Sequence, residues 1–169
     1  MNEHTRKVMH SSNRPDWRTP KAFFAKLDAL YRFNLDAAAS DGNHLCENYY
    51  TERESALSTF WVLDKGKARV WLNPPYGRGS DVWIKKAADE ARHSYDVALV
   101  VLLLPARTDT KVWHEVIERG VQDGWAQYRF VKGRLKFDDG KDPAPFPSVV
   151  VVFSRSQSEL DKLHTLEVL

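Results

Sequence analysis

The run Val97-Ala98-Leu99-Val100-Val101-Leu102-Leu103-Leu104 constrains this chain more than any other stretch. It is far too short to cross a bilayer, which takes about 20 apolar residues as a helix, and Pro105 closes it. A strand with no polar side chain on either face must be covered on both. That is the condition of a central strand in a parallel sheet flanked by helices. The neighbouring sequence supplies both kinds of element. Alternating or β-branched and aromatic residues over 33–36, 68–72, 125–131 and 149–153 predict further strands, and 43–51 an irregular link or a short strand. Phe23, Leu27, Leu30 and Tyr31 fall on one helical face behind Thr19-Pro20, which predicts a helix over 20–31 with Thr19 as N-cap and Pro20 first in the helix. Ser80 caps a second helix to 93, with Val82, Trp83, Ile84, Ala87 and Ala91 on its apolar side; Trp83 reads as core. Thr108 or Asp109 caps a third running to 119. Strands separated by helices, with one hairpin near the end, predict an α/β fold: a mostly parallel, doubly wound sheet with a reversed last strand.

A chain of 169 residues, 43% of them hydrophobic, is large enough for one such domain, expected over 17–155. Residues 1–16 carry Arg6, Lys7 and Arg14 without apolar periodicity and read as a flexible arm. Residues 156–169 read as an amphipathic tail with Leu160, Leu163 and Leu166 on one face, suited to covering a sheet edge or a partner.

The strand predicted over 68–72 runs into Asn73-Pro74-Pro75-Tyr76-Gly77. This is a strand's carboxyl end, where open α/β sheets bind ligands. Two prolines withdraw two backbone donors and leave the carbonyls of Asn73 and Pro74 outside ladder pairing. The Asn73 side chain adds an acceptor, and Tyr76 a flat aromatic face with a polar tip. Alone, Asn-Pro is a turn and Pro-Pro a stiff connector. Acceptors beside a stacking face also form a receptor for an aromatic amine.

Asn73-Pro74-Pro75-Tyr76 resembles the (Asp/Asn/Ser)-Pro-Pro-(Tyr/Phe/Trp) motif of methyltransferases that use S-adenosylmethionine on amino groups. Trp17-Arg18-Thr19-Pro20, Leu35-Asp36-Ala37-Ala38-Ala39-Ser40 and Gly133-Arg134-Leu135-Lys136-Phe137 further resemble the short DNA adenine methyltransferases of bacteriophages and prophages. The resemblance runs over 17–153. It implies a Rossmann-like, S-adenosylmethionine-dependent methyltransferase acting on the 6-amino group of adenine in DNA, with Asn73, Pro74, Pro75 and Tyr76 as catalytic residues. It places Trp17, Thr19 and Pro20 beside the cofactor. Asp36 is expected to pair with the cofactor's amino group. Ala37, Ala38 and Ser40 are expected in the turn after the first strand, where small residues let the backbone approach; Glu52 or Glu54 is expected to hold the ribose, and Asn73 to border the same pocket. Most such enzymes carry glycines after the acidic residue, whereas this chain has alanines. The same tetrapeptide occurs in methyltransferases of RNA bases and of glutamine side chains, so those substrates are the alternative, as is a DNA-binding relative without catalysis.

Lys plus Arg exceeds Asp plus Glu by only two, so a DNA contact must be local. Arg78 follows the motif, Arg107 follows the apolar strand, and Lys132 and Arg134 precede a long loop; these four are the candidate phosphate contacts, with simple solvation as the plain alternative. Lys132, Arg134 and Lys136 with the loop over 138–148 are either a hairpin with a long turn or a substitute for a separate DNA-reading domain. The single Cys46 and the lack of zinc-ligand spacing predict metal-free chemistry in a reducing compartment. With no secretory leader or membrane span, the expectation is a cytoplasmic protein of a bacterial host, encoded by a phage or prophage, and a monomer.

Overall fold

The computed structural model describes residues 17–51, 54–140, 142–167 and 169. The expected arm over 1–16 and Glu52 lie outside the described residues. Helix α1 (Lys21–Tyr31) leads into β1 (Leu35–Ala39), β2 (Asn48–Thr51) and β3 (Ala68–Leu72); α2 (Ser80–His93) and β4 (Val97–Pro105) follow. A π-helical segment, Trp113–Glu118, continues into α3 (Arg119–Gln122), and β5 (Ala126–Phe130), a 3-10 turn over Phe137–Asp139, β6 (Ser148–Ser154), α4 (Gln157–Asp161) and a 3-10 turn over Lys162–Thr165 complete the order. The six strands lie in the order β2-β1-β3-β4-β6-β5. Strands β1 to β4 pair in parallel, and β6 runs antiparallel to both β4 and β5. This is the mostly parallel sheet with a reversed last strand that the pattern predicted.

Strand β4 shows why the apolar run fixes the fold. Val100, Leu102 and Leu104 enter one core with Ile84, Ala87 and Ala91 of α2 and with Trp113 and Ile117. Leu99, Val101 and Leu103 enter the other with Phe23, Leu27 and Tyr31 of α1 and with Leu160 and Leu163. Period-2 alternation sends successive residues to opposite faces, so a strand that is apolar throughout needs helices on both sides. The tail therefore covers a sheet face. Arg69 of β3 fastens it: its Nε donates to the Tyr31 carbonyl at 2.5 Å, and its two terminal nitrogens donate to the Glu159 carboxylate at 2.9 and 3.0 Å. Arg129 of β5 donates to the carbonyls of Leu163 and Leu166 from the other side. Arg69→Ala leaves a mostly buried carboxylate with only Lys162 as partner and is expected to cost about 2–4 kcal/mol, read by urea denaturation.

Four local expectations are corrected. Ser80 does not cap α2; it is the first residue of the helix, whose N-cap is Gly79 with no side-chain cap bond. Thr19 does not cap α1; the helix starts at Lys21 with Pro20 at its N-cap and no side-chain cap bond, because the Thr19 hydroxyl is taken by Asn73. The alanines after Asp36 form no turn. They continue β1 to Ala39, where Ala39 pairs with Thr51 of β2, and the reversal comes at Ser40–Asn43. The cap of the third helical region is Thr110, whose hydroxyl accepts from the Trp113 N–H at 3.3 Å. The region winds as a π-helix, where an α-helix was predicted. Among the described residues no helix is long and apolar enough to cross a membrane.

Candidate active site

Strand order reverses between β1 and β3. From β1 the chain steps outward to β2, and then returns to the other side of β1 for β3. Such a switch point leaves a crevice beyond the carboxyl ends of the two strands, with connections leaving in opposite directions. A cavity of about 540 Å³ lies there, lined by Asp36, Ala37, Ala38, Ala39 and Ser40 from the end of β1 and by Trp71, Asn73, Pro74 and Pro75 from the end of β3. Trp17 and Thr19 close one side and Trp83 of α2 another. A larger cavity of about 960 Å³ lies on the same rim, lined by Trp17, Tyr76, Gly77, Arg78, Arg107, Trp113 and Phe146 among others. Asn73, Pro74 and Pro75 thus face the first cavity and Tyr76 the second, with Trp17 on both. The motif is the partition between them.

The Asn73 amide holds this partition rigid. Its Nδ2 donates to the Trp17 carbonyl at 2.5 Å and to the Thr19 hydroxyl at 3.1 Å, and its Oδ1 accepts the Tyr76 hydroxyl at 2.7 Å. The amide orientation follows from its partners: a backbone carbonyl only accepts, so the atom beside Trp17 must be the NH₂. Tyr76 also reaches the Leu103 carbonyl at 3.3 Å. Burial pushes its phenol well above the usual range, so Tyr76 is a permanent donor. The side chain read as an open acceptor therefore already has two bonds at its nitrogen and one at its oxygen; Oδ1 keeps one lone pair for a further donor.

Asp36 is buried at the floor of the smaller cavity. Burial pushes its carboxyl up to about 6, against the pull of the Leu45 and Ala38 N–H groups and the charge of His44. Leu45 N donates to Oδ2 at 3.0 Å and Ala38 N to Oδ1 at 3.3 Å. Glu54 is turned elsewhere: it accepts from the Thr51 N–H at 2.8 Å and hydroxyl at 3.0 Å, and it lines a separate polar cavity behind β2. Pro20 is also outside the smaller cavity's lining.

Of the four candidate phosphate contacts, Arg78 and Arg107 line the larger cavity, while Lys132 and Arg134 are exposed and do not. Arg78 sits between Gly77 (φ 102°) and Gly79 (φ 92°), a backbone path that only glycine follows at little cost. Sequence reading missed the aromatic group around Tyr76. Phe146 meets Tyr76 edge-on at 5.5 Å and Trp17 at 5.3 Å, and Phe137 meets Trp17 at 5.4 Å. Asp138 N–H also donates to the Arg18 carbonyl, so the loop over 138–148 is folded down onto the entry segment. Trp83, read as core, is half-buried and lines the smaller cavity, as do Asn43, Tyr50 and Leu57. None of these has a local sequence signature.

With this geometry in hand, comparison with known proteins is decisive on ancestry. Residues 6–163 match the family described as DNA N-6-adenine-methyltransferase (Dam). The chain belongs to the Dam family. A Dam-family relative from Escherichia phage T1, the DNA N-6-adenine-methyltransferase, is 34% identical over 146 residues, covering 77% of this chain. The chain spans 58% of that relative's length. Among solved structures, the 23S rRNA methyltransferase ErmE superposes with a TM-score of 0.52 over 84% of this chain and 71% of its own, at 9% identity. That likeness speaks to the fold alone and gives the Dam-family chain a Rossmann-like methyltransferase fold.

Proposed function

We propose that the protein transfers a methyl group from S-adenosylmethionine to the 6-amino nitrogen of adenine in DNA, at specific sites, in the cytoplasm of a bacterial host. One observation carries this reading: a single tetrapeptide divides two cavities, one with a buried carboxylate and one with aromatic and cationic walls. Both volumes lie in the range of small-molecule sites.

The smaller cavity suits the cofactor. Asp36 can pair with its ammonium group, and the alanines of β1 leave the backbone open to close approach. Thr51 and Tyr50 stand at the end of β2, and Ala56, Leu57 and Trp83 offer apolar walls for a purine. Bound there, S-adenosylmethionine supplies an electrophilic methyl group on a sulfonium. Trp17, Thr19 and Asn73 border this ligand, and the inactive-relative alternative is disfavoured by a cavity that keeps both its volume and its carboxylate.

The larger cavity suits the base. The 6-amino nitrogen of adenine lends its lone pair to the ring and is a poor nucleophile. The base enters from the larger cavity and its amino group reaches the dividing wall. There Asn73 Oδ1 and the Pro74 carbonyl, which border the smaller cavity, accept hydrogen bonds from its two N–H groups, localise the lone pair, and bind most strongly as positive charge develops on nitrogen, one proton leaving to solvent once the methyl is transferred. The Tyr76 hydroxyl and the Trp17 carbonyl hold the Asn73 amide at the required angle, so little reorganisation is needed during the reaction. Pro74 and Pro75 fix the backbone between the cavities. Extruding the base from the duplex costs a few kcal/mol, offset by stacking on Tyr76 worth about 1–3 kcal/mol. Arg78 and Arg107 at the mouth, and Lys132 and Arg134 beyond it, meet phosphates.

Labelled S-adenosylmethionine incubated with duplex DNA, RNA and protein tests the substrate class. Label in adenine of DNA is the expected result; label only in RNA or in glutamine transfers the same geometry to another amino group, and no calorimetric binding of S-adenosylmethionine overturns the reading. Tyr76→Phe keeps the ring and removes the hydroxyl that orients Asn73. It is expected to lower kcat about tenfold with little change in KM for DNA, measured by steady-state kinetics.

A further inference from the structure

The larger cavity extends well past Tyr76, to a second group of aromatic side chains. Trp113, on the π-helical segment, lines it together with Arg107 and Thr110. Phe130, the last residue of β5, lies nearly parallel to Trp113, with ring centroids 6.1 Å apart and planes 16° from each other. Tyr128 braces both edge-on, at 5.0 and 5.5 Å. Trp113 is buried, whereas half of Phe130 is exposed. Strand β5 runs antiparallel to β6, which runs antiparallel to β4, so Phe130 emerges at the same rim as Pro105 and the cavity mouth.

An exposed phenylalanine backed by a buried tryptophan at a sheet edge contributes little to the core. Its ring is also held in one orientation, which a free surface residue would not be. Two cations lie along the same part of the fold: Arg107 shares the cavity wall with Trp113, and Lys132 is two residues beyond Phe130 and exposed. A rigid aromatic face among cations is what proteins use to stack an unpaired base while its phosphate is neutralised.

We infer that Phe130, supported by Trp113 and Tyr128, is a stacking platform for a nucleotide flanking the target adenine. The strand leaves the larger cavity at its Trp113 end, and the neighbouring base, unstacked by extrusion of the target, lies on Phe130 with its phosphate near Arg107. The cavity's size, at the upper end for small-molecule sites, accommodates more than one flat base. This inference rests on the proposed DNA substrate and adds a second subsite to it.

Phe130→Leu keeps an apolar side chain and removes the aromatic face; Phe130→Trp keeps the face. The methylation assay uses adenine-containing oligonucleotides, duplex and single-stranded, with thermal melting to verify the fold of each variant. Phe130→Leu is expected to raise KM for the oligonucleotide on the order of tenfold, with kcat and KM for S-adenosylmethionine within about twofold of wild type, and Phe130→Trp to retain wild-type KM. 2-Aminopurine placed beside the target adenine is expected to be quenched by the wild type and less so by Phe130→Leu. A wild type that methylates DNA alongside a Phe130→Leu variant with unchanged KM and quenching overturns the platform alone. A wild type that methylates no DNA overturns the substrate reading and the platform with it.

Discussion

Asn73→Asp is expected to lower kcat by about a hundredfold or more, although aspartate is itself an accepted first residue of the motif the chain resembles. The reason is local to this protein. Asn73 Nδ2 donates to the Trp17 carbonyl and the Thr19 hydroxyl. An aspartate carboxylate cannot donate, and it sets two acceptors face to face in a half-buried site. A mispaired buried acceptor costs about 1–3 kcal/mol, more when charged, and the entry segment carrying Trp17 then loses its tie to the partition. Because Trp17 borders both cavities, the damage reaches both proposed sites together. Kinetics at saturating S-adenosylmethionine check this. Activity of the variant should recover in part as pH falls and the new carboxyl regains a proton to donate, which a wild-type asparagine cannot imitate. An Asn73→Asp enzyme with wild-type kcat at neutral pH removes the donor role assigned to this amide.

The second large effect concerns Asp36. Burial raises its carboxyl from 3.8 to about 6, so between those values the folded chain without ligand holds a proton that the unfolded chain has lost. Stability therefore falls as pH rises through that window, by on the order of 3 kcal/mol in all. A cationic ligand reverses the preference by favouring the ionised acid. Affinity for S-adenosylmethionine is thus expected to tighten as pH rises from 5 to 7, with proton release on binding near pH 6, and Asp36→Asn to bind it 10- to 100-fold more weakly. The same substitution should flatten the fall in stability between pH 4 and 6. Calorimetry in buffers of different ionisation enthalpy, with denaturant curves at each pH, measures both. Affinity that is level across that range, or an unaltered Asn variant, takes Asp36 out of the cofactor site.

How much of this could be seen in the chain itself depends on the range of the forces involved. The eight apolar residues of β4 require cover on both faces whatever their surroundings, and the helix predicted over 80–93 is the helix found, because its 3.6-residue periodicity is strong and uninterrupted. Local signals failed where a distant partner outbid them. Thr19-Pro20 carries a helix-start signature, but the threonine hydroxyl is engaged by Asn73, 54 residues away. Three alanines have no preference for a strand, and the pairing of Ala39 with Thr51 of β2 carries them along regardless. The aromatic group of Trp17, Tyr76, Phe137 and Phe146 draws on three separate segments, none of which is periodic. The tetrapeptide at the end of β3 was legible because its chemistry is contained in consecutive residues, and its network with Trp17 and Thr19 was not, for the opposite reason.

In the proposed function, Asn73 and its neighbours present one amino nitrogen to a methyl donor across a shared wall. Nucleoside analysis of DNA from cells expressing the protein measures this directly. N6-methyladenine at a recurring sequence, absent from cells expressing Asn73→Ala, is the result expected. DNA with no added N6-methyladenine, or equal amounts from both proteins, contradicts it.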